Sequence, residues 1–287
     1  MTVHQPATSC RTGTYALRDL LDGLYEFYNR PEYIHPDPLE FVHLYTAKSD
    51  KEVVGLVASA LAYGRVKQIR CSVRSVLDTM GPSPSDFLLQ HSPSRIRSLF
   101  HSFKHRFTTG EIFSSLLIGI RKLTVDYGSI ESCFLSGFDC KDKTILPALC
   151  AFVKKLNDAS GREMPMFLPS PAGGSACKRL NLFLRWMVRR DNVDPGIWQA
   201  VSPSCLIVPL DTHMHRVSLA MGLTARKQAD LRCAIEITEQ FASVCPEDPV
   251  RYDFALTRLG MNGEPNPFSA VFPGEASFRF VREKGED

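Results

Sequence analysis

The chain has 287 residues, of which 44% are hydrophobic and 23% are charged, and its formal net charge is +3. This is enough apolar material for a large buried core, in one domain or two smaller lobes, and no apolar run is long enough to form a transmembrane helix. The 9 cysteines include no CxxC pair, and their odd number, with no secretory signal in the first ten residues, favours a reducing cytoplasm over an oxidising compartment.

Apolar residues recur at helical spacing after residues 1–13, which we expect to be a disordered tail. Helices are predicted over residues 15–29, 38–46, 51–63, 66–80, 85–89, 94–103 and 111–127. Further helices are predicted over residues 129–134, 143–157, 175–190, 212–221, 227–244 and 248–259. The segment from Asn262 is rich in Gly and Pro and is predicted to be irregular. No strand alternation and no internal repeat is found, so the predicted fold class is all-α.

Basic residues cluster on two of these helices, and those of the first helix lie three and four residues apart. The first cluster consists of Lys67, Arg70 and Arg74. The second consists of Arg179, Arg185, Arg189 and Arg190. Such clusters are usually solvated helix faces, and this is our prediction for both. Contact with nucleic-acid phosphates is the alternative.

Asp211 precedes a predicted helix that begins at Thr212 and ends near Gly222. Aspartate is a favoured N-cap, because its carboxylate accepts a hydrogen bond from a backbone N–H in the first turn. The positive end of the helix dipole lies close to this carboxylate. We therefore expect the Asp211 carboxylate to be rigidly held and charged. The residue spacing by itself favours a purely structural role as a helix cap.

A Pro/Gly-rich hairpin and the helix that follows it occupy residues 166–190. A glycine-rich turn that leads into a helix N-terminus points backbone N–H groups outward, where they bind phosphate. The turn residues are Ser170, Gly173, Gly174 and Ser175. The pattern predicts a phosphate-binding turn.

This hairpin, the following helix and the motif V-P-L-D-T-H-M-H-R-V at residues 208–217 closely resemble the helix-hairpin-helix DNA glycosylase superfamily, of which endonuclease III is a member. The resemblance is closest to a bacterial family of unknown function within that superfamily. It implies a two-lobed helical fold, in which residues 14–49 and 205–287 form one lobe and residues 50–204 form a barrel lobe that carries the hairpin. The C-terminal cysteine cluster of endonuclease III is absent, so no iron–sulfur cluster is expected.

The resemblance implies a DNA glycosylase that hydrolyses the N-glycosidic bond of a damaged base in double-stranded DNA. Asp211 matches the catalytic aspartate of the family. Lys178 is the nearest candidate for the lysine nucleophile of bifunctional members, although it reaches that position only if the hairpin is realigned. A phosphate-contacting or surface lysine is the alternative. Ser170 stands where the family usually has glycine, and Pro171 to Gly173 lengthen the hairpin.

The remaining predicted site residues have plain alternatives as surface or core residues. The predicted DNA contacts are Ser170, Gly173, Gly174, Ser175, Arg179, His213 and Arg216. The predicted pocket for the extruded base is lined by Tyr63, Phe167 and Trp186. His213 and His215 lie about 200° apart on an α-helix, so we expect capping or core roles rather than a shared metal ion.

We expect no cofactor, no metal, no membrane contact and a monomer. The main alternative to an enzyme is a module that binds DNA or RNA and has kept the glycosylase fold without catalysis. The altered hairpin and the absence of a lysine at the family position favour this module, and the intact Asp211 motif favours the enzyme. A third class, a metal hydrolase, would need ligands that the sequence does not show.

Overall fold

The computed structural model describes residues 9–259, in which twelve α-helices are present. Helices α1 to α6 span Ser9–Tyr28, Lys48–Ala60, Val66–Met80, Pro84–Gln90, Pro93–Leu99 and Gly110–Tyr127. Helices α7 to α12 span Ile130–Leu135, Leu146–Ser160, Lys178–Val188, Thr212–Ala220, Leu231–Val244 and Asp253–Arg258. Short 3₁₀ helices occupy Pro31–Tyr33, Pro38–Leu44, Pro171–Gly173 and Pro203–Cys205.

The all-α prediction is confirmed for this part of the chain. Its only strands are β1 (Lys104–His105) and β2 (Thr108–Thr109), which form an antiparallel hairpin. Each strand has two residues, which is too short for an alternating apolar pattern to reveal it. None of the described helices combines the length and the hydropathy needed to span a membrane.

Several element boundaries differ from the predictions, among them the starts of α1, α9 and α11. Helix α1 begins at Ser9, so residues 9–13 are helical rather than a disordered tail; no proline stops the helix there. Helix α9 begins three residues later than predicted, because Cys177 has a left-handed backbone (φ 47°). Helix α11 begins after its N-cap residue, Asp230, rather than at Lys227. The predictions for residues 1–8 and from Asn262 onward lie outside the described residues.

The close packing of α2 against α9 positions the candidate site. Helix α2 is buried along most of its length. Gly55 allows α9 to approach, since a Cβ atom at this position would lie 2.8 Å from Cε of Met187. The carbonyl of Ala62, just after α2, accepts a hydrogen bond from Lys178 at the start of α9.

Helix α12 packs against both α1 and α10, so elements from the two ends of the described chain meet. The buried apolar side chains of both predicted lobes form one continuous core. The division into lobes stays a prediction.

Candidate functional site

A cleft of about 540 Å³ opens where the start of α9, the start of α10 and helix α12 meet the segments that flank α2. Six charged residues are among those that line it: Asp37, Lys178, Arg185, Asp211, Asp253 and Arg258. A cleft of this volume is large enough for a small organic ligand. The two residues that the sequence placed in catalytic roles, Asp211 and Lys178, are therefore brought together on its wall.

Asp211 is the N-cap of α10, as predicted. Its Oδ1 atom accepts hydrogen bonds from the backbone N–H groups of His213 (2.9 Å) and Met214 (2.8 Å). Its Oδ2 atom lies 3.7 Å from the ammonium nitrogen of Lys178, and 35% of the side chain is exposed. One oxygen thus fixes the carboxylate, while the other stands in the cleft.

Lys178 is the first residue of α9. Its ammonium group donates to the carbonyl of Ala62 (3.2 Å), and 30% of its side chain is exposed. The left-handed backbone of Cys177 turns the chain immediately before the helix. The side chain therefore lines the cleft and does not lie on the open surface.

Of the three aromatic residues predicted to line a base pocket, only Tyr63 lines this cleft. Its hydroxyl group donates to the carbonyl oxygen of His105 (2.9 Å) and accepts from Thr108 Oγ1 (2.6 Å). Phe167 borders a different pocket of about 440 Å³. Trp186 has 0% exposure and lies in the core, so it cannot line a pocket. Helix α9 faces the core at this position, which its amphipathic pattern alone did not reveal.

The prediction of a solvated basic face on α9 is wrong for Arg185. Its guanidinium group is buried below the cleft and donates to Asp194 Oδ1 (3.0 and 3.2 Å) and to Asp253 Oδ2 (2.5 Å). Burial raises the pKa of Asp253 to about 6, and the positive charge of Arg185 opposes this rise. Asp253 lines the cleft, so its carboxylate stands in the same cavity as that of Asp211.

The same prediction is wrong for Arg189, which is 3% exposed and contacts the carboxylates of Asp191, Asp194 and Asp248. Asp191 and Asp194 come from the loop directly after α9 and Asp248 comes from the distant loop before α12, so burial of the arginine is compensated. Arg190, at the end of the same cluster, is exposed as predicted.

Arg179 is also not a free surface cation. Its guanidinium group lies 4.8 Å from the Tyr63 ring centroid and 5.6 Å from that of Phe167. It donates to the carbonyl oxygens of Ala60 (3.4 Å) and Met166 (2.9 Å). Burial lowers the pKa of this arginine from its usual value. Any contact with DNA would have to replace some of these interactions.

The predicted phosphate-binding turn has a different geometry from the one expected. The N–H groups of Gly173 and Gly174 donate to the carbonyls of Ser170 and Pro171 within a 3₁₀ turn. The carbonyl of Gly174 accepts from Leu231, and Ser175 pairs with Asp230 in an isolated bridge. The glycine N–H groups are thus bonded internally and do not point outward, because a 3₁₀ turn closes its own i→i+3 hydrogen bonds.

The histidines of the Asp211 motif tie helix α10 to its neighbours. Nε2 of His213 donates to the carbonyl of Leu256 (3.0 Å), and Nε2 of His215 donates to that of Arg226 (2.8 Å). Arg216 is exposed on α10. No group of three or more His, Cys, Asp or Glu side chains in residues 9–259 is arranged to hold a metal ion.

Sequence reasoning missed four of the charged residues that line the cleft. Arg258 donates to Asp37 across it (2.7 Å), and Arg185 pairs with Asp253. Asp37 and Arg258 are 221 positions apart. No local pattern connects residues at such a separation, and only homologous sequences could have indicated the pairs.

Comparison with curated proteins and with solved structures gives no match. A family model, described as a protein of unknown function (DUF2400), matches residues 37–262. The matched region contains every residue named above as lining the cleft. Because this match covers most of the chain, the protein belongs to the DUF2400 family.

Proposed function

We propose that this protein is a DNA glycosylase of the helix-hairpin-helix type, which hydrolyses the N-glycosidic bond of a damaged base. The observation that carries the proposal is the state of Asp211: one carboxylate oxygen is fixed by two backbone N–H groups, and the other faces a cleft. The order of elements also supports it. Helix α8, a Pro/Gly turn, helix α9 and the capped helix α10 follow one another as the resemblance implies.

The chemistry matches this arrangement. Breaking the bond between C1′ and the base develops positive charge on the sugar, and a fixed anion stabilises that charge. Oδ2 of Asp211 is the oxygen available for this role, or for accepting a proton from an attacking water molecule. Water then adds to C1′, and the base leaves with its bonding electron pair and takes up a proton.

Lys178 supplies a second route. As an ammonium ion, it holds Oδ2 of Asp211 in place and can contact a phosphate. As a neutral amine, it would attack C1′, expel the base and form an imine with the opened sugar, which water later hydrolyses. In this second route, the nearby carboxylate accepts the proton that the amine loses.

The decisive experiment measures base release from a panel of damaged-base duplexes by wild-type protein and by Asp211→Asn. Asparagine also caps helices, so the fold is preserved. We expect at least about a 100-fold loss of base release, while duplex affinity changes only a few-fold. Asp230→Asn is the matched control, because Asp230 is also a helix N-cap but does not line the cleft. Equal activity of wild type and Asp211→Asn would remove Asp211 from the mechanism.

The two routes are separated by borohydride, which reduces an imine to a stable adduct. If Lys178 attacks the sugar, wild-type protein is trapped on damaged DNA and Lys178→Met is not. Base release without a trapped adduct in the wild type would assign the attack to water.

The second candidate function is a nucleic-acid-binding module without catalysis. The internally bonded turn at Ser170–Gly174 supports it, because the hairpin expected to anchor the extruded nucleotide for catalysis is altered, while Lys178 still offers a cation to a phosphate at the cleft. This candidate predicts duplex affinity without base release from any member of the panel, and an Asp211→Asn variant that binds like the wild type.

A further inference from the structure

The tip of the β1–β2 hairpin presents an aromatic ring to solvent beside the cleft. Phe107 is 58% exposed, although it is among the largest apolar side chains of the protein. Its ring stacks on that of Tyr63, with 4.9 Å between the centroids and 25° between the planes. Because Tyr63 lines the cleft, the Phe107 ring packs directly on a residue of the cleft wall.

The hairpin is firmly held in this position. The Tyr63 hydroxyl group contacts both strands, through the carbonyl of His105 and the hydroxyl of Thr108. The buried ring of His105 donates in turn from Nε2 to the carbonyl of Tyr63 (3.0 Å), and its Nδ1 accepts from the Ser72 hydroxyl (2.8 Å). The position of Phe107 is therefore set by hydrogen bonds on both sides of the turn.

Cationic groups extend the stack at both ends. The Arg106 guanidinium carbon lies 6.0 Å from the Phe107 ring centroid, and that of Arg179 lies 4.8 Å from the Tyr63 centroid. Arg106 has a left-handed backbone (φ 54°), which is uncommon for a residue other than glycine. Its side chain packs on Gly64, where a Cβ atom would lie 2.6 Å from Arg106 Cδ. We call Arg106, Phe107, Tyr63 and Arg179 the Phe107 ridge.

Two residues of the ridge line two different cavities. Tyr63 lines the 540 Å³ cleft that contains Asp211. Phe107 borders the second pocket, of about 440 Å³. The other apolar residues that line this pocket include Ile112, Met164, Met166 and Phe167. The wall of this pocket is therefore largely apolar, and the exposed Phe107 ring is part of it.

We propose that the Phe107 ridge stacks an unpaired nucleobase outside the cleft, so that the preferred ligand is single-stranded or locally unpaired nucleic acid rather than a fully paired duplex. Every base has a π-face, so stacking on an exposed aromatic ring does not depend on sequence. A strand that approaches the ridge meets the exposed cations Arg65, Lys104 and Arg106, which complement its phosphates. The inference rests on the proposed function only in taking nucleic acid as the ligand.

The test uses the full chain and fluorescent oligonucleotides that contain no lesion, as a single strand and as a duplex of the same sequence. We expect the single strand to bind more tightly. Phe107→Ala should weaken single-strand binding about 10-fold, because the base loses the ring on which it stacks, and Phe107→Trp should retain the affinity. The matched control is Val125→Ala on helix α6. Val125 is also an exposed apolar side chain but is not part of the Phe107 ridge, so its substitution should leave the affinity unchanged.

A second measurement examines the phosphates. Arg106→Asn removes the charge but keeps a residue that tolerates positive φ. The slope of log affinity against log salt concentration for single-strand binding should become less steep by the amount expected for about one phosphate contact. Unchanged affinity in Phe107→Ala, or tighter binding of the duplex by the wild type, would overturn the proposal. Because no lesion and no base release are involved, this result is independent of the test of Asp211.

Discussion

The two ends of helix α9 carry the same kind of charge in opposite circumstances. At its start, Lys178 keeps 30% of its side chain exposed and lies 3.7 Å from a single carboxylate, that of Asp211. At its C-terminal end, Arg189 is 3% exposed and contacts three carboxylates. The first cation is open to the cleft, and the second is enclosed by its carboxylate partners.

The difference shows why basic residues at helical spacing do not identify a ligand-binding face. The partners of Arg189 come from the loop after α9 and from the loop before α12, and they compensate for its loss of hydration. Lys178 lies at the beginning of the helix, where its side chain lines the cleft and is not covered by another segment. Substitutions at Arg189, Asp253, Asp211 and Lys178 probe this contrast, from the largest expected effect to the smallest.

Arg189→Met should cause the largest loss of stability, about 3–5 kcal/mol. The change leaves buried carboxylates without their cation, which is more costly than the loss of an exposed ion pair. Equilibrium denaturation with urea measures the free energy of unfolding. Arg190→Met is the control on the same helix end, and because this side chain is exposed, its effect should stay within about 0.5 kcal/mol. Similar losses in both variants would contradict the division between the two ends of α9.

Asp253 joins the buried network to the cleft, and its raised pKa of about 6 predicts a dependence on pH. Between about pH 4 and pH 6, the carboxyl group is protonated in the native state and ionised in the unfolded state. The native state then binds more protons, so the contribution of this group to stability falls as the pH rises through this range, by on the order of 2 kcal/mol. The difference in unfolding free energy between wild type and Asp253→Asn should therefore decrease from pH 4 to pH 6. A constant difference would place the ordinary aspartate pKa at this position.

Asp211→Ala removes the cap of α10 and should cost about 1 kcal/mol, whereas Asp211→Asn should be nearly neutral for stability. Thermal unfolding of the two variants at neutral pH compares them directly. This pair of substitutions separates the structural role of Asp211 from its proposed chemistry, because only the second role requires the negative charge. A stability loss for Asp211→Asn as large as that for Asp211→Ala would mean that the cap itself depends on the charge.

Lys178→Met should change the free energy of unfolding by no more than about 0.5 kcal/mol. Its ion pair with Asp211 is partly exposed and long, and such pairs contribute little. Denaturation under the conditions used for Arg189→Met gives the comparison. A loss of several kcal/mol would show that the two ends of α9 are both structural.

Local sequence predicted the elements that depend on neighbouring residues. The spacing of apolar residues predicted most of the helices. The N-cap role of Asp211 was also predictable, because its carboxylate accepts hydrogen bonds from N–H groups only two and three residues further along the chain. These interactions span at most one helical turn, so their signal is present in a short window of sequence.

Only the tertiary structure decided which of these residues meet. Arg258 and Asp37, or Arg185 and Asp253, are distant in sequence, and their pairing depends on how the helices pack. The same packing buried Trp186 and Arg189, brought Lys178 to Asp211 and placed the β1–β2 hairpin beside Tyr63. Burial and long-range contact are properties of the whole fold, because each depends on the surfaces that other segments bring to a residue and not on its neighbours along the chain.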